Sequence, residues 1–235
     1  MERIARPAHH NAGPTGAAVI RAVEACFVTT AVGPEGYPAG GTPEIAFVGR
    51  SNVGKSSMVS ALAGRRKLVR VSNTPGRTRT LNFFDVELVR GDTRRAVRFA
   101  DLPGYGFAKV QKAQRATWEK MVSTYLEGRA QLRGVVALVD AEVGPTPDDV
   151  RTLGYLQEAG RPTLVVATKL DRVAKARRRP RLQSIAQLLQ VDVDRVLGFS
   201  ATEKLGVTEV LEAVWELTGA RDTSVDPTGT CTDDS

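Results

Sequence analysis

Eight consecutive residues, Gly49-Arg50-Ser51-Asn52-Val53-Gly54-Lys55-Ser56, fit the pattern G-x-x-x-x-G-K-[ST] in full. The glycines at positions 49 and 54 let a backbone curl until several N–H groups point inward, a geometry that suits phosphate oxygens. The loop follows the apolar run Glu44–Gly49 and opens an amphipathic stretch, Lys55–Ala63. A helix starting there would add the positive end of its dipole. Lys55 is placed to reach the outer phosphates, and the Ser56 hydroxyl is a hard oxygen donor suited to Mg²⁺. This is chemistry for a nucleoside triphosphate.

Two later segments bear on which base is read. Thr168-Lys169-Leu170-Asp171 follows the apolar run Thr163–Ala167. A carboxylate accepts two hydrogen bonds side by side, as guanine N1–H and its 2-amino group would give. Adenine lacks that pair and would leave the carboxylate unsatisfied. The Lys169 stem can lie flat on the base. Phe199-Ser200-Ala201 closes the next strand candidate, and the N–H near Ala201 could meet guanine O6.

Two others suit the terminal phosphate. Asp101-Leu102-Pro103-Gly104 ends the candidate strand Arg94–Ala100. Asp101 would hold Mg²⁺ through water, and the Gly104 N–H would touch the last phosphate. Thr74-Pro75-Gly76-Arg77-Thr78-Arg79-Thr80 reads as a loop, in which Thr78 could complete the Mg²⁺ shell. Both segments contact what hydrolysis removes, so both should reorder with nucleotide state.

These loops need a frame that brings them to one edge. Short apolar runs (Glu44–Gly49, Gly134–Asp140, Thr163–Ala167, Arg195–Ser200) alternate with helical stretches at Lys55–Ala63, Gln111–Arg129, Asp148–Ala159, Leu182–Leu189 and Val207–Leu217. Leu81–Val89 and Arg94–Ala100 read as a hairpin. The pattern predicts an α/β fold: a mostly parallel sheet with helices on both faces and one antiparallel edge strand. Ligand loops lie at the carboxyl ends of such strands. Val19–Thr30 is apolar enough for a strand or short helix packed on this unit, and Gly33–Thr42 reads as a linker. The expected organisation is a disordered extension at 1–16, a segment and linker at 17–43, the main domain at 44–218 and a disordered acidic tail at 219–235.

The 235 residues carry 33 Lys and Arg against 26 Asp and Glu. Residues 1–42 balance and the tail from Gly219 is acidic, so the basic excess sits in the middle, at Gly64–Arg70, Arg94–Arg98 and Lys175–Arg181. That field suits a polyanion such as RNA; solubility with an Arg-rich coding bias is the alternative. No run approaches the roughly 18 apolar residues of a membrane span, so no membrane partner is expected. Cys26 and Cys231 cannot build a disulfide framework, and a reducing cytoplasm is the simpler expectation. Cys26 reads as a small core residue, Trp118 and Trp215 as core anchors, and Asp148-Asp149 as a helix start.

In this order, GRSNVGKSS, TPGRTRTLNFF, DLPGYGFAKV and TKLD resemble the EngB (YihA/YsxC) family of ribosome-biogenesis GTPases, within the translation-factor-related P-loop class. The likeness covers about Glu44–Leu217, with a looser match upstream from about Val19. It implies a P-loop GTPase fold with a six-stranded sheet. It also implies a Mg²⁺-dependent GTP- and GDP-binding protein acting on large ribosomal subunit precursors, with a part in cell division and septation. Carried over, Gly49–Ser56, Gly76–Thr80, Asp101–Gly104, Thr168–Asp171 and Phe199–Ala201 would contact GTP, and Ser56 and Thr78 would ligate Mg²⁺. Lys55, Asn52, Thr78 and Gly104 would carry hydrolysis. Ras-like GTPases place a water-orienting Gln just after D-x-x-G; Tyr105 stands there, which predicts slow turnover. Its side chain either packs the loop or meets a partner. Related GTPases use an Asn at the position of Asn52 to hold K⁺, the alternative being that it caps the loop. A monomer is expected. The rivals are a P-loop kinase, disfavoured by TKLD, and a GTP-controlled division protein without RNA contact.

Overall fold

The computed structural model describes residues 18–65, 68, 80–105 and 112–219, with the side chains of 112–118 excepted. The expected disordered start, nearly all of the acidic tail, Gly76–Arg79 and the Trp118 side chain lie outside them.

Twelve main elements follow one another: β1 (Arg21–Ala31), β2 (Glu44–Gly49), α1 (Lys55–Leu62), β3 (Leu81–Arg90), β4 (Thr93–Asp101), α2 (Lys112–Gly128), β5 (Leu132–Asp140), α3 (Pro147–Glu158), β6 (Thr163–Thr168), α4 (Lys175–Leu189), β7 (Val196–Gly198) and α5 (Val207–Gly219). The strands form one sheet in the order β1-β3-β4-β2-β5-β6-β7. The pairs β4–β2, β2–β5, β5–β6 and β6–β7 are parallel, while β3 runs against both β1 and β4. The fold class is the expected one. The sheet has seven strands where six were expected, because the N-terminal segment pairs along β3 from Arg21↔Val89 to Ala31↔Leu81. It thereby covers the outer side of the antiparallel strand.

The central strands are apolar on both faces because helices cover both. Along β2, Ile45 and Phe47 enter one cluster with Met58, Val59 and Leu62 of α1 and Val210, Val214 and Trp215 of α5. Ala46 and Val48 enter another with Val122, Tyr125 and Leu126 of α2. A third, under α3 and α4, joins Leu153, Val165, Ala167, Ile185 and Leu189. Trp215 is the expected core anchor, and the Arg95 guanidinium lies 3.9 Å from its ring centroid. The α3 start is a capping box: the Thr146 side chain accepts from the Asp149 N–H, and the Asp149 carboxylate accepts from the Thr146 N–H at 2.7 Å. That bears out the helix-start role expected of the acidic pair.

Helix α4 begins seven residues earlier than the expected Leu182, with Pro180 inside it. A proline there removes one backbone donor. Ala176 and Pro180 are both exposed, so the carbonyl that loses its partner can turn to water.

A buried ion cluster fixes the amino end of β2. Glu44, fully buried, receives Arg129 Nε at 2.9 Å and the Tyr125 hydroxyl at 2.8 Å, with Arg98 3.7 Å away. Arg129 also donates to the Pro38 carbonyl at 2.7 Å, tying down the segment before β2. Removing one member of such a cluster strands the others. Glu44→Ala is expected to lower unfolding free energy by about 3 kcal/mol in urea titrations. The folded fraction should keep its nucleotide affinity, because Glu44 and the phosphate loop stand at opposite ends of β2.

Candidate nucleotide-binding site

The glycine-rich segment is the turn between β2 and α1, as its spacing predicts. Gly54 has φ of 101°, a left-handed conformation that favours glycine, and α1 starts at the next residue. Gly49 is fixed by crowding: a Cβ there would lie 2.8 Å from Val53 and 3.1 Å from Leu138. Val53 is wholly buried and anchors the loop in the core. Lys55 and Ser56 are half-buried at the first turn of α1. Lys55 Nζ contacts Asp101 Oδ1, so the phosphate-loop lysine and the last residue of β4 meet directly.

Parallel pairing of β2 and β4 makes that meeting possible. It continues past the strand ends, where Ser51 N–H donates to the Tyr105 carbonyl at 2.9 Å and Tyr105 N–H to the Gly49 carbonyl at 3.3 Å. Gly104 is thereby pressed onto the loop: a Cβ would sit 3.0 Å from Ser51 N and Oγ. Ser51 Oγ is buried with no hydrogen-bond partner among the described residues, a free donor beside the loop. Leu102 is fully buried and Pro103 half-buried, so this motif offers Asp101 and main-chain groups to a ligand.

The Tyr105 side chain packs the loop. It is 7% exposed, and its hydroxyl donates to Asp149 Oδ1 at 2.7 Å. Burial, and then the Asp149 charge, push the phenol far above its ordinary range, so it stays protonated. Asn52 is exposed, with φ of 63° and no side-chain hydrogen bond among the described residues. A capping role for its amide is not seen.

On the other side of the loop, Thr168–Asp171 leaves the end of β6 and Phe199–Ala201 follows β7. Leu170 N–H donates to the Phe199 carbonyl at 3.0 Å, and Phe199 N–H to the Ala167 carbonyl at 2.8 Å, which stitches the two turns together. A cleft of about 190 Å³ lies between them and the phosphate loop, lined by Gly54, Ser57, Thr168, Lys169, Asp171, Phe199 and Ala201 among others. The structure therefore brings four of the five expected segments to one edge: Gly49–Ser56, Asp101–Gly104, Thr168–Asp171 and Phe199–Ala201. Of the fifth, Thr80 alone is described, half-buried just before β3.

Some members act as scaffold. The Thr168 hydroxyl lies 2.5 Å from the Val53 carbonyl and 3.1 Å from that of Val139, so it braces the phosphate loop against β5. Leu170 is buried in the core under α4. Ser200 has a use its motif did not suggest: its hydroxyl donates to Asp171 Oδ1 at 2.6 Å, orienting that carboxylate. Asp140, at the end of β5, belongs to no motif and is 2% exposed. Its Oδ2 receives Lys169 Nζ at 2.8 Å and lies 3.3 Å from Arg50 Nη2. Burial works to raise its pKa, but the Lys169 bond and backbone N–H groups outweigh this and leave it below the usual carboxylate value. The sequence signal for Asp140 is slight: a carboxylate closing an apolar strand.

The profile of a family described as 50S ribosome-binding GTPase matches residues 44–169, more than half of the chain. A protein named probable GTP-binding protein EngB, from Myxococcus xanthus, is 63% identical over 201 residues, covering 86% of this chain and 98% of the relative. One of the same name from Anaeromyxobacter sp. is 49% identical over 198 residues, covering 83% and 90%. A crystal structure of a probable GTP-binding protein engB superposes with a TM-score of 0.59 at 25% identity, covering 76% of this chain and all of that one. A phosphate loop against D-x-x-G, a carboxylate-bearing turn beside it, and these likenesses lead to one family: the chain belongs to the EngB GTP-binding proteins and is a P-loop GTPase.

Proposed function

We propose that the chain is a slow, Mg²⁺-dependent GTPase of the cytoplasm that works as a nucleotide switch in assembly of the large ribosomal subunit. One observation carries the guanine-nucleotide part: a single cleft is lined both by Gly54 and Ser57 at the phosphate loop and by Asp171 and Ala201. Main-chain N–H groups of Gly49–Ser56 bind the phosphates, with the Lys55 charge beside them. Asp171, braced by Ser200, reads guanine N1–H and the 2-amino group, and the Lys169 stem covers a face of the base.

The donor set fits a hard cation. Ser56 and Asp101 offer a hydroxyl and a carboxylate, as Mg²⁺ prefers; the third expected contributor, Thr78, lies outside the described residues. Among the described residues no group of three or more His, Cys, Asp or Glu could hold a metal by itself, so bound phosphates would share in holding it. When bound, Mg²⁺ neutralises charge on the outer phosphates. The exposed Asn52 amide suits K⁺, whose charge would serve the same end.

Tyr105 explains slow turnover. Its hydroxyl is committed to Asp149 and stays protonated, so it neither accepts a proton from water nor orients the attack. What this chain supplies is Lys55, the Gly104 N–H and the loop amides, which stabilise charge without activating the nucleophile. Such a site holds GTP long enough to report a bound state.

The ribosomal partner is supported by the family description and by exposed cations, among them Arg172, Lys175, Arg177 and Arg179. No helix among the described residues is long and apolar enough to cross a membrane. A part in cell division and septation follows from the family resemblance, and a monomer is the proposed state.

Three outcomes are expected. Asp171→Ala should lower GTP affinity about 100-fold or more, from the loss of charge-assisted bonds, and erase its advantage over ATP in competition assays; equal binding of both nucleotides by the unaltered protein would refute the guanine site. Turnover should be several-fold faster in KCl than in NaCl at equal ionic strength, and Asn52→Ala should remove the difference. Co-sedimentation with large-subunit precursors should require a non-hydrolysable GTP analogue and weaken steeply between 50 and 200 mM salt, as phosphate contacts do. Sedimentation indifferent to nucleotide would overturn the switch.

A further inference from the structure

Lys169 and Arg50 belong to different loops. One follows β6 in the turn read as the guanine site; the other is the first variable residue of the phosphate loop. Their charged ends converge on the same oxygen, Asp140 Oδ2, at 2.8 and 3.3 Å. The other oxygen, Oδ1, accepts the N–H groups of Glu142 at 2.9 Å and Val143 at 3.2 Å, so the carboxylate cannot swing away. The backbone beneath is equally fixed. Asp140 pairs with Thr168 in the β5–β6 ladder, the Ala141 N–H donates to the Thr168 carbonyl at 2.8 Å, and Gly144 N–H donates to the Asp140 carbonyl at 2.8 Å.

Lys169 has a left-handed φ of 57°, uncommon for a residue with a long side chain, and no side chain caps its turn. Its direction therefore needs an external hold, which Asp140 supplies. Arg50 is held loosely otherwise: its Nε is buried and has no hydrogen-bond partner among the described residues. Its backbone nevertheless bridges to Tyr105, the residue after D-x-x-G.

We propose that Asp140 is a positioning residue for nucleotide binding, which aims the Lys169 stem across the base and, through Arg50, locks the base-reading turn to the phosphate loop. It touches no part of the nucleotide itself. Its effect is transmitted through Lys169, which meets any purine face, so Asp140 sets how long a nucleotide stays, and Asp171 which nucleotide it is. This rests on the guanine-site reading above.

Asp140→Asn keeps the size and an oxygen for the Glu142 and Val143 amides while removing the charge that holds both cations. Release of a fluorescent GDP, followed by stopped flow on the full chain, should speed up about tenfold, as expected for a lost charge-assisted bond. Affinities for GTP and for inosine triphosphate, which lacks the 2-amino group, should fall by the same factor. In a Lys169→Ala background, Asp140→Asn should add less than about twofold. Unchanged release, or an effect equally large without Lys169, would overturn the proposal. Should Asp140→Asn not fold in a thermal melt, Arg50→Gln carries the test: release several-fold faster in the native chain and unchanged in the Lys169→Ala background, with additive effects overturning it. Failure of the guanine-site reading looks different: Asp171→Ala would leave the GTP-to-inosine-triphosphate ratio where it was, whatever Asp140→Asn did.

Discussion

Everything at the site depends on β2 and β4 running side by side in the same direction. Parallel neighbours deliver their carboxyl ends to one edge, and here the pairing continues into the turns as two backbone hydrogen bonds between the phosphate loop and Tyr105. The consequence is steric as well as topological. Gly104 and Ser51 lie so close that a Cβ on Gly104 would stand 3.0 Å from Ser51 N and Oγ. A group bound by the loop amides therefore lies within reach of Asp101 and Gly104 without any movement of the frame. The hairpin β3–β4, which supplies this second loop, needs its own support, and β1 gives it by closing the open side of β3.

Buried charge is used differently at the two ends of the sheet. Glu44, at the amino end of β2, collects Arg129, Tyr125 and Arg98 and ties down the segment from Pro38. Those partners hold each other in place, and an apolar cluster of the same shape could serve as well. Asp140, at the carboxyl edge, collects Lys169 and Arg50 from two different loops. Both acids stand on neighbouring central strands, yet only one lies where a nucleotide would come.

The glycine-rich loop was legible because its chemistry is written into local spacing: two glycines, a lysine and a serine within eight residues have few other uses. The strands around it were legible because burial on both faces leaves continuous apolar runs. Two elements were read incompletely for different reasons, one started too late and one left open between strand and short helix. Pro180 marks a helix break by local rules, but one lost donor near the start of α4 costs little when its carbonyl faces water. Val19–Thr30 was ambiguous because exposed and buried positions alternate imperfectly along β1, with register shifts at Ala22/Glu24 and Phe27/Thr29. Asp140 and the brace from Ser200 to Asp171 were not legible at all. Each is one residue acting on a partner about 30 positions away, and nothing local marks it.

Tyr105 shows how far a motif can be trusted. Its place after D-x-x-G suggests a catalytic position, but the side chain turns into the protein, toward the capping box of α3. Asp149 thus serves two masters, its own helix start and the loop that faces the phosphates. A water-orienting residue must point outward and be free to adjust as GTP is consumed. A buried phenol bonded to a helix start can do neither. The bond from the Tyr105 hydroxyl to Asp149 fixes the end of the D-x-x-G turn against α3. The loop that would sense the last phosphate is therefore anchored on both sides at Tyr105, by its backbone to the phosphate loop and by its side chain to α3.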